Sequence, residues 1–310
     1  MIALTSLWQM IIIFFLLSAG FACRKTGLVT EDGSRCISRL VVNVFNPAII
    51  LSSLTGSGMD KNGLWVVFLT GFVSFMVLIL AGRVFSCVMS RNKDTRHMYE
   101  LMMVFSNIGF IGIPVIKALF GSDALVYAAI FIFEYNILIY TYGYALIKPE
   151  SGRKTGFCDT IKSVFNIGTV SCIAALAIFV SGIRLPYVLS ETISCLGNAA
   201  TPLSVMAIGF TMGSGEKISR VFTKPKQYLF AFVKLVAVPV IMTFILKKIF
   251  NDDTFCRSCM VMLGLPIGTM PLLLATESGQ DGKLCSDNII LTTLLSIGTI
   301  PALMAVYPYI

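Results

Sequence analysis

The sequence predicts an all-α polytopic membrane protein of ten transmembrane helices, arranged as two inverted five-helix repeats. Three observations predict it. Long apolar runs recur with short polar gaps, each long enough to cross a hydrocarbon core of about 30 Å. Of the 310 residues, 56% are hydrophobic and 13% charged, where a soluble domain carries about a quarter charged residues. Two pairs of motifs also recur in the same order in both halves of the chain.

Taken in order, the runs fall at 3–23, 36–56, 63–90, 97–120, 123–147, 166–183, 187–213, 225–250, 256–276 and 285–308. No basic leader precedes residues 3–22, which read as a first span rather than a signal peptide. Odd-numbered connections hold about three times as many Lys and Arg as even ones. Arg24, Lys25 and Arg35 lie in the first and Lys148, Arg153, Lys154 and Lys162 in the fifth, against Lys61 alone in the second. Basic connections stay in the cytoplasm, which places both termini outside it. The eighth connection, with Lys247, Lys248 and Arg257, departs from the pattern, although Asp252 and Asp253 lie within it.

The second span carries Asn43 and Pro47 in an N-x-x-x-P motif, and the seventh carries Asn198 and Pro202 in the same motif. Both run into Gly-Ser-Gly, at 56–58 and 213–215. The fourth span then reads Ile111-Gly112-Ile113-Pro114 and the ninth Leu263-Gly264-Leu265-Pro266. The offset between halves is about 155 residues at the first motif and about 152 at the second. Five spans per half is odd, so the second half enters the membrane the other way up. The expected units are a first repeat at 1–147, a short cytoplasmic connection at 148–165 and a second, inverted repeat at 166–310.

Proline removes a backbone donor and clashes with the carbonyl four residues back, so broken helices are expected in spans four and nine. Irregular backbone at bilayer depth survives where it is buried in protein or lines a watery cavity. Interrupted helices in corresponding positions of inverted repeats point to a transporter binding site at mid-membrane. The second half-helices are expected to begin near Pro114 and Pro266, with two N-termini facing one another. Each leaves free N–H groups and a partial positive charge, favourable to a carboxylate. The expected substrate site comprises Asn107, Gly112, Ile113 and Pro114 with Pro266, Ile267, Gly268 and Thr269. Asn107 and Thr269 would add side-chain hydrogen bonds.

Charges inside a membrane are costly and mark function or pairing. Glu134, mid-span with Asn136 beside it, is a coupling candidate or a structural partner of Lys117 or Lys234. Lys117 faces the cavity or snorkels outward. Glu191 and Arg39 sit near span ends, where a solvated structural role is expected.

Several function classes are excluded. The net charge of +8 comes from basic residues scattered through short loops, not from the aromatic-interleaved groove of a nucleic-acid binder. A single histidine, His97, leaves no zinc set and no Ser/His or Cys/His catalytic pair. Cys256 and Cys259 form the one C-x-x-C, read as small residues near a helix end. No metal, cofactor or enzyme activity is expected.

Several of these motifs resemble one family over essentially the whole chain. Arg24–Gly27, NPAIILSSL in span two, SNIGFIGIP in span four, ATPLSVMAIG, GLPIGTMP and the closing LTTLLSIGTIPAL are similar to the auxin efflux carriers. The resemblance implies a fold related to sodium/proton antiporters and bile-acid symporters, with crossing broken helices at spans four and nine, in a homodimer within the lipid bilayer. It implies a scaffold of spans 1, 2, 6 and 7, carrying the scaffold motif Asn43, Pro47, Asn198 and Pro202, against which the remaining spans move as an elevator. It also implies that Asn107, seven residues before the crossover proline, contacts substrate. The long cytoplasmic loop of many plant members is missing. The short-loop members are prokaryotic and resemble malate and malonate permeases of the bacterial inner membrane. The expected function is thus secondary transport of a small mono- or dicarboxylate, driven by a proton, by sodium or by membrane potential. The alternatives are a sodium/proton exchanger and a non-transporting membrane receptor.

Overall fold

The computed structural model describes residues 2–54, 63–147, 167–183, 185–214, 224–277 and 282–310. The connection at 148–165 and the Gly-Ser-Gly at 56–58 lie outside these residues, as does Gly215 of the second exit. Throughout the described residues the chain is helical, and its one departure toward sheet is an isolated antiparallel bridge between Ser106 and Ile267.

We label the helices in chain order. α1 is Ile2–Lys25; α2 is 31–54; α3 is Gly63–Met89; α4 is Lys93–Val104; α5 is Ile108–Phe120; α6 is Leu125–Leu146. In the second half, α7 is Ile167–Ser181; α8 is Tyr187–Ser214; α9 is Pro225–Ile249; α10 is Asp253–Leu263; α11 is Met270–Glu277; α12 is Lys283–Val306. Among the described residues, six stretches, within α2, α3, α6, α8, α9 and α12, are long and apolar enough to cross a membrane by length and composition. The chain is an integral, polytopic membrane protein. Its outward face fits lipid: α3 alone exposes Trp65, Leu69, Phe72, Leu80, Val84 and Val88.

Local chemistry sets the helix ends. Asn92 accepts hydrogen bonds from the Asp94 and Thr95 amides to start α4, and Asp252 accepts from the Phe255 amide to start α10. Such caps satisfy donors that a helix leaves free. α5 stops at Gly121, whose φ of +82° suits glycine.

Among the described residues, four helices contain a five-residue π-turn. Three of these, Val41–Phe45, Ile108–Gly112 and Val233–Ala237, end two residues before Pro47, Pro114 and Pro239 respectively. In an α-helix the proline ring would meet the carbonyl four residues back. Widening the turn displaces that carbonyl and lets the helix continue. Pro202 and Pro301 instead sit within unbroken α-helix. The two N-x-x-x-P motifs therefore share a pattern but differ in backbone.

α1 and α8 pack backbone against backbone. A Cβ at Gly20 would stand 2.3 Å from the Met206 carbonyl oxygen, and one at Gly209 would stand 2.2 Å from that of Leu17. Only glycine permits backbones to approach this closely. α8 also packs on α2, which in turn packs on α7.

Candidate functional site

Two interruptions meet at the centre of the site. The chain leaves α4 into an extended Phe105–Asn107, and leaves α10 into an irregular 264–269. These segments pair antiparallel. The Asn107 amide donates to the Pro266 carbonyl at 2.8 Å, and the Gly268 amide donates to that of Phe105 at 2.9 Å. The Ile267 amide donates to Thr292 Oγ1 of α12 at 3.2 Å. Buried main-chain groups must be paired, and these bonds do it without a continuous helix. Close packing adds to them: a Cβ on Gly112 would lie 2.7 Å from Leu265 Cδ1.

The breaks are not where the prolines alone would put them. α5 starts at Ile108, capped by Asn107 Oδ1 accepting from the Phe110 amide at 3.2 Å. Pro114 lies beyond the break, downstream of the π-turn that accommodates it. Pro266 lies inside the second break, and Pro271 instead occupies the first turn of α11. Pro114 and Pro266 therefore hold different structural places despite their matching motifs.

A buried lysine supports the crossing. Lys234, in the π-turn of α9 and fully buried, donates to the Met103 carbonyl at 2.8 Å and to Ser106 Oγ at 2.6 Å. Its amine thus satisfies one of the carbonyls that the C-terminal end of α4 leaves without an intrahelical partner.

A cavity of about 350 Å³ opens beside the crossing. Asn107, Ile108, Gly109 and Phe110 bring the first turn of α5 to it, and Gly268, Thr269 and Met270 bring the start of α11. α2 contributes Asn43, Asn46 and Pro47; Asn46 Nδ2 also donates to the Gly109 carbonyl at 3.2 Å, tying α2 to the break. α6 contributes Ile132, Tyr135, Asn136 and Tyr140, and Ile167 and Gly168 begin α7 at the rim. No lining residue among those described is charged. Two helix starts, amides and tyrosines surround an otherwise apolar space, a setting for one small polar or anionic group.

Of the residues expected at the site, Asn107, Ile113, Gly268, Thr269 and Asn136 line the cavity, with Asn43 and Pro47 on the α2 wall. Gly112, Pro114, Pro266 and Ile267 instead shape the crossing. Lys117 points to α8, where it donates to Asn198 Oδ1 at 2.9 Å. Glu134 is buried but outside the cavity lining, its carboxylate against Gly71: a Cβ there would come within 2.1 Å of Oε2. It pairs with neither Lys117 nor Lys234, and neither oxygen makes a hydrogen bond of ordinary geometry.

Sequence reasoning missed Ser106, Tyr135 and Tyr140. Their signal was available: Ile132, Asn136 and Tyr140 repeat at four residues along one helix face, and Ser106 adjoins Asn107. It also missed the buried Glu100, whose carboxylate pairs with Arg83 Nε at 3.2 Å and accepts from Tyr142 Oη, joining α3, α4 and α6. Cys256 and Cys259 are buried free thiols, and no group of three metal-ligating side chains occurs among the described residues.

A family model described as membrane transport protein matches residues 5–304. An uncharacterized transporter of Methanothermobacter thermautotrophicus is 24% identical over 311 residues, covering 97% of this chain and 98% of that protein. An uncharacterized transporter of Methanocaldococcus jannaschii is 23% identical, over 93% of this chain and 94% of that one. A Rhizobium meliloti protein named "Putative malonate transporter" is 27% identical over 209 residues, 64% of this chain and 63% of its own.

Proposed function

The chain belongs to the membrane transport protein family, the group of the auxin efflux carriers, and on that premise we propose that it is a secondary transporter of a small carboxylate. It is a transporter rather than an enzyme. The observation that carries the substrate class is the cavity bounded by the starts of α5 and α11, with Asn107 between them. Helix starts present amide hydrogens and partial positive charge to an anion, and nearby apolar walls exclude larger polar solutes. The malonate named for the Rhizobium meliloti relative makes a short dicarboxylate the first candidate.

In this reading α4–α5 and α10–α11 are single interrupted spans. The chain then has ten spans in two inverted repeats, in which the breaks at 105–107 and 264–269 correspond more closely than the prolines do. The close α1–α8 pair, with α2 and α7, forms a scaffold, and the remaining helices carry the crossing past it as an elevator. The protein works as a homodimer in the cytoplasmic membrane, with both termini outside the cytoplasm. Glu134 is the group whose protonation or ion binding couples to movement, with Asn136 reporting from the cavity side.

Uptake of labelled malonate, malate and acetate into proteoliposomes tests the reading, with proton and sodium gradients imposed separately. Accumulation of one acid, lost in Asn107→Ala, supports it; absence of carboxylate flux under every gradient contradicts it. A second reading rests on Glu134, a buried carboxylate without an ordinary hydrogen bond: a cation exchanger needing no organic solute. Proton flux on a sodium gradient alone would favour that exchanger.

A further inference from the structure

Arg39 stands one helical turn before Asn43 on α2, and Asn43 Nδ2 donates to its carbonyl at 2.9 Å. The two residues thus share a helix face, and Asn43 lines the cavity. The same cavity is lined by Tyr140 in the last turns of α6 and by Ile167 and Gly168 at the start of α7. Along α2, Arg39 therefore lies on the far side of Asn43 from Asn46, the residue that bonds the break at Gly109.

Its neighbours in charge are committed elsewhere. Arg35 pairs with Glu31 and Asp32, Arg24 reaches the Val29 carbonyl and Glu31, and Lys25 lies over the Phe21 ring at 5.7 Å. Arg39 is exposed and forms no ion pair among the described residues. The described cavity lining holds no charge of its own. The helix starts at the crossing suit one carboxylate, while a dianion entering this space needs a second counter-charge. A helical turn rises about 5.4 Å, within the span of an arginine side chain, and a guanidinium grips a carboxylate with two parallel hydrogen bonds.

We infer that Arg39 is an anion subsite beside the cavity that receives the second carboxylate of a dicarboxylate whose first carboxylate lies at the crossing. This rests on the carboxylate reading of the cavity. It assigns selectivity for dianions over monoanions to a residue outside the crossing.

The test is equilibrium binding of malonate and of monomethyl malonate, a monoanion of similar size, to purified wild type, Arg39→Gln and Arg39→Lys. The inference predicts that Arg39→Gln weakens malonate binding about tenfold while monomethyl malonate changes less than about twofold. Arg39→Lys recovers part of the loss, since it restores charge but not the fork. Retained binding of the monoester shows that the variant is folded. Unchanged malonate affinity in Arg39→Gln overturns the subsite and leaves the carboxylate reading standing. Equal loss for both ligands also overturns it, because the second carboxylate would then play no part. Wild type that binds neither ligand overturns the carboxylate reading and this inference together.

Discussion

Main chains come into contact in two regions of this molecule, by opposite means. Between α1 and α8 the contact is apolar: Gly20 and Gly209 remove side chains so that intact helices touch. At the crossing the helices are interrupted, and the freed amides of Asn107 and Gly268 bond the opposite strand. The first contact keeps all hydrogen bonds within each helix and leaves nothing to offer a solute. The second exposes helix starts to a cavity and leans on outside groups, Thr292 and Lys234, to satisfy what remains. Rigidity and binding capacity are thus separated in space.

The comparison can be broken most forcefully at glycine. Gly209→Leu is expected to cost at least about 3 kcal/mol, because its Cβ meets backbone that cannot move aside. Thermal unfolding in detergent, or loss of the monodisperse peak, would read this out. Gly298→Ala sharpens the contrast: nothing lies within 4 Å of a Cβ there, so the midpoint should hold or rise slightly through helix propensity.

Next in size is Lys234→Met, which removes the donor to the buried Met103 carbonyl and to Ser106. The expected loss is about 1–3 kcal/mol, accompanied by loss of transport, and denaturation midpoints beside uptake rates check both. Stability equal to wild type would show that the crossing holds without the lysine.

Asn107→Ala is expected to cost about 1 kcal/mol as a lost helix cap, yet to reduce carboxylate uptake more than tenfold, roughly the value of a charge-assisted hydrogen bond. A stability loss without a binding loss would return Asn107 to a purely structural place. Glu134→Gln should change stability less than Asn107→Ala, since it replaces a buried carboxylate lacking ordinary hydrogen bonds by a neutral isostere. Uptake measured across pH and sodium concentration should lose its ion dependence in this variant; an unchanged profile would remove Glu134 from coupling.

Much of the architecture could be read from residues close in sequence. Asn92 and Asp252 start helices and Gly121 stops one through contacts within a few positions, and apolar runs reveal length. The interruptions were legible only to within several residues. Proline marks strain, but the wide turn before Pro114 relieves that strain locally and moves the break back to Phe105–Asn107. The α2 and α7 walls of the cavity, and the Lys117–Asn198 and Lys234–Ser106 bonds, depend on packing between distant helices. Nothing in local pattern specifies which helix a lysine will reach.

The most direct test of the central claim is thermal stabilisation of the purified protein by malonate, wild type beside Asn107→Ala. A ligand that binds the native state raises stability by RT ln(1 + [L]/Kd). The account predicts a wild-type midpoint that climbs with malonate concentration and a variant midpoint that stays flat over the same range. Equal climbs in both proteins, or a flat wild type with malonate and every other small carboxylate, would contradict it.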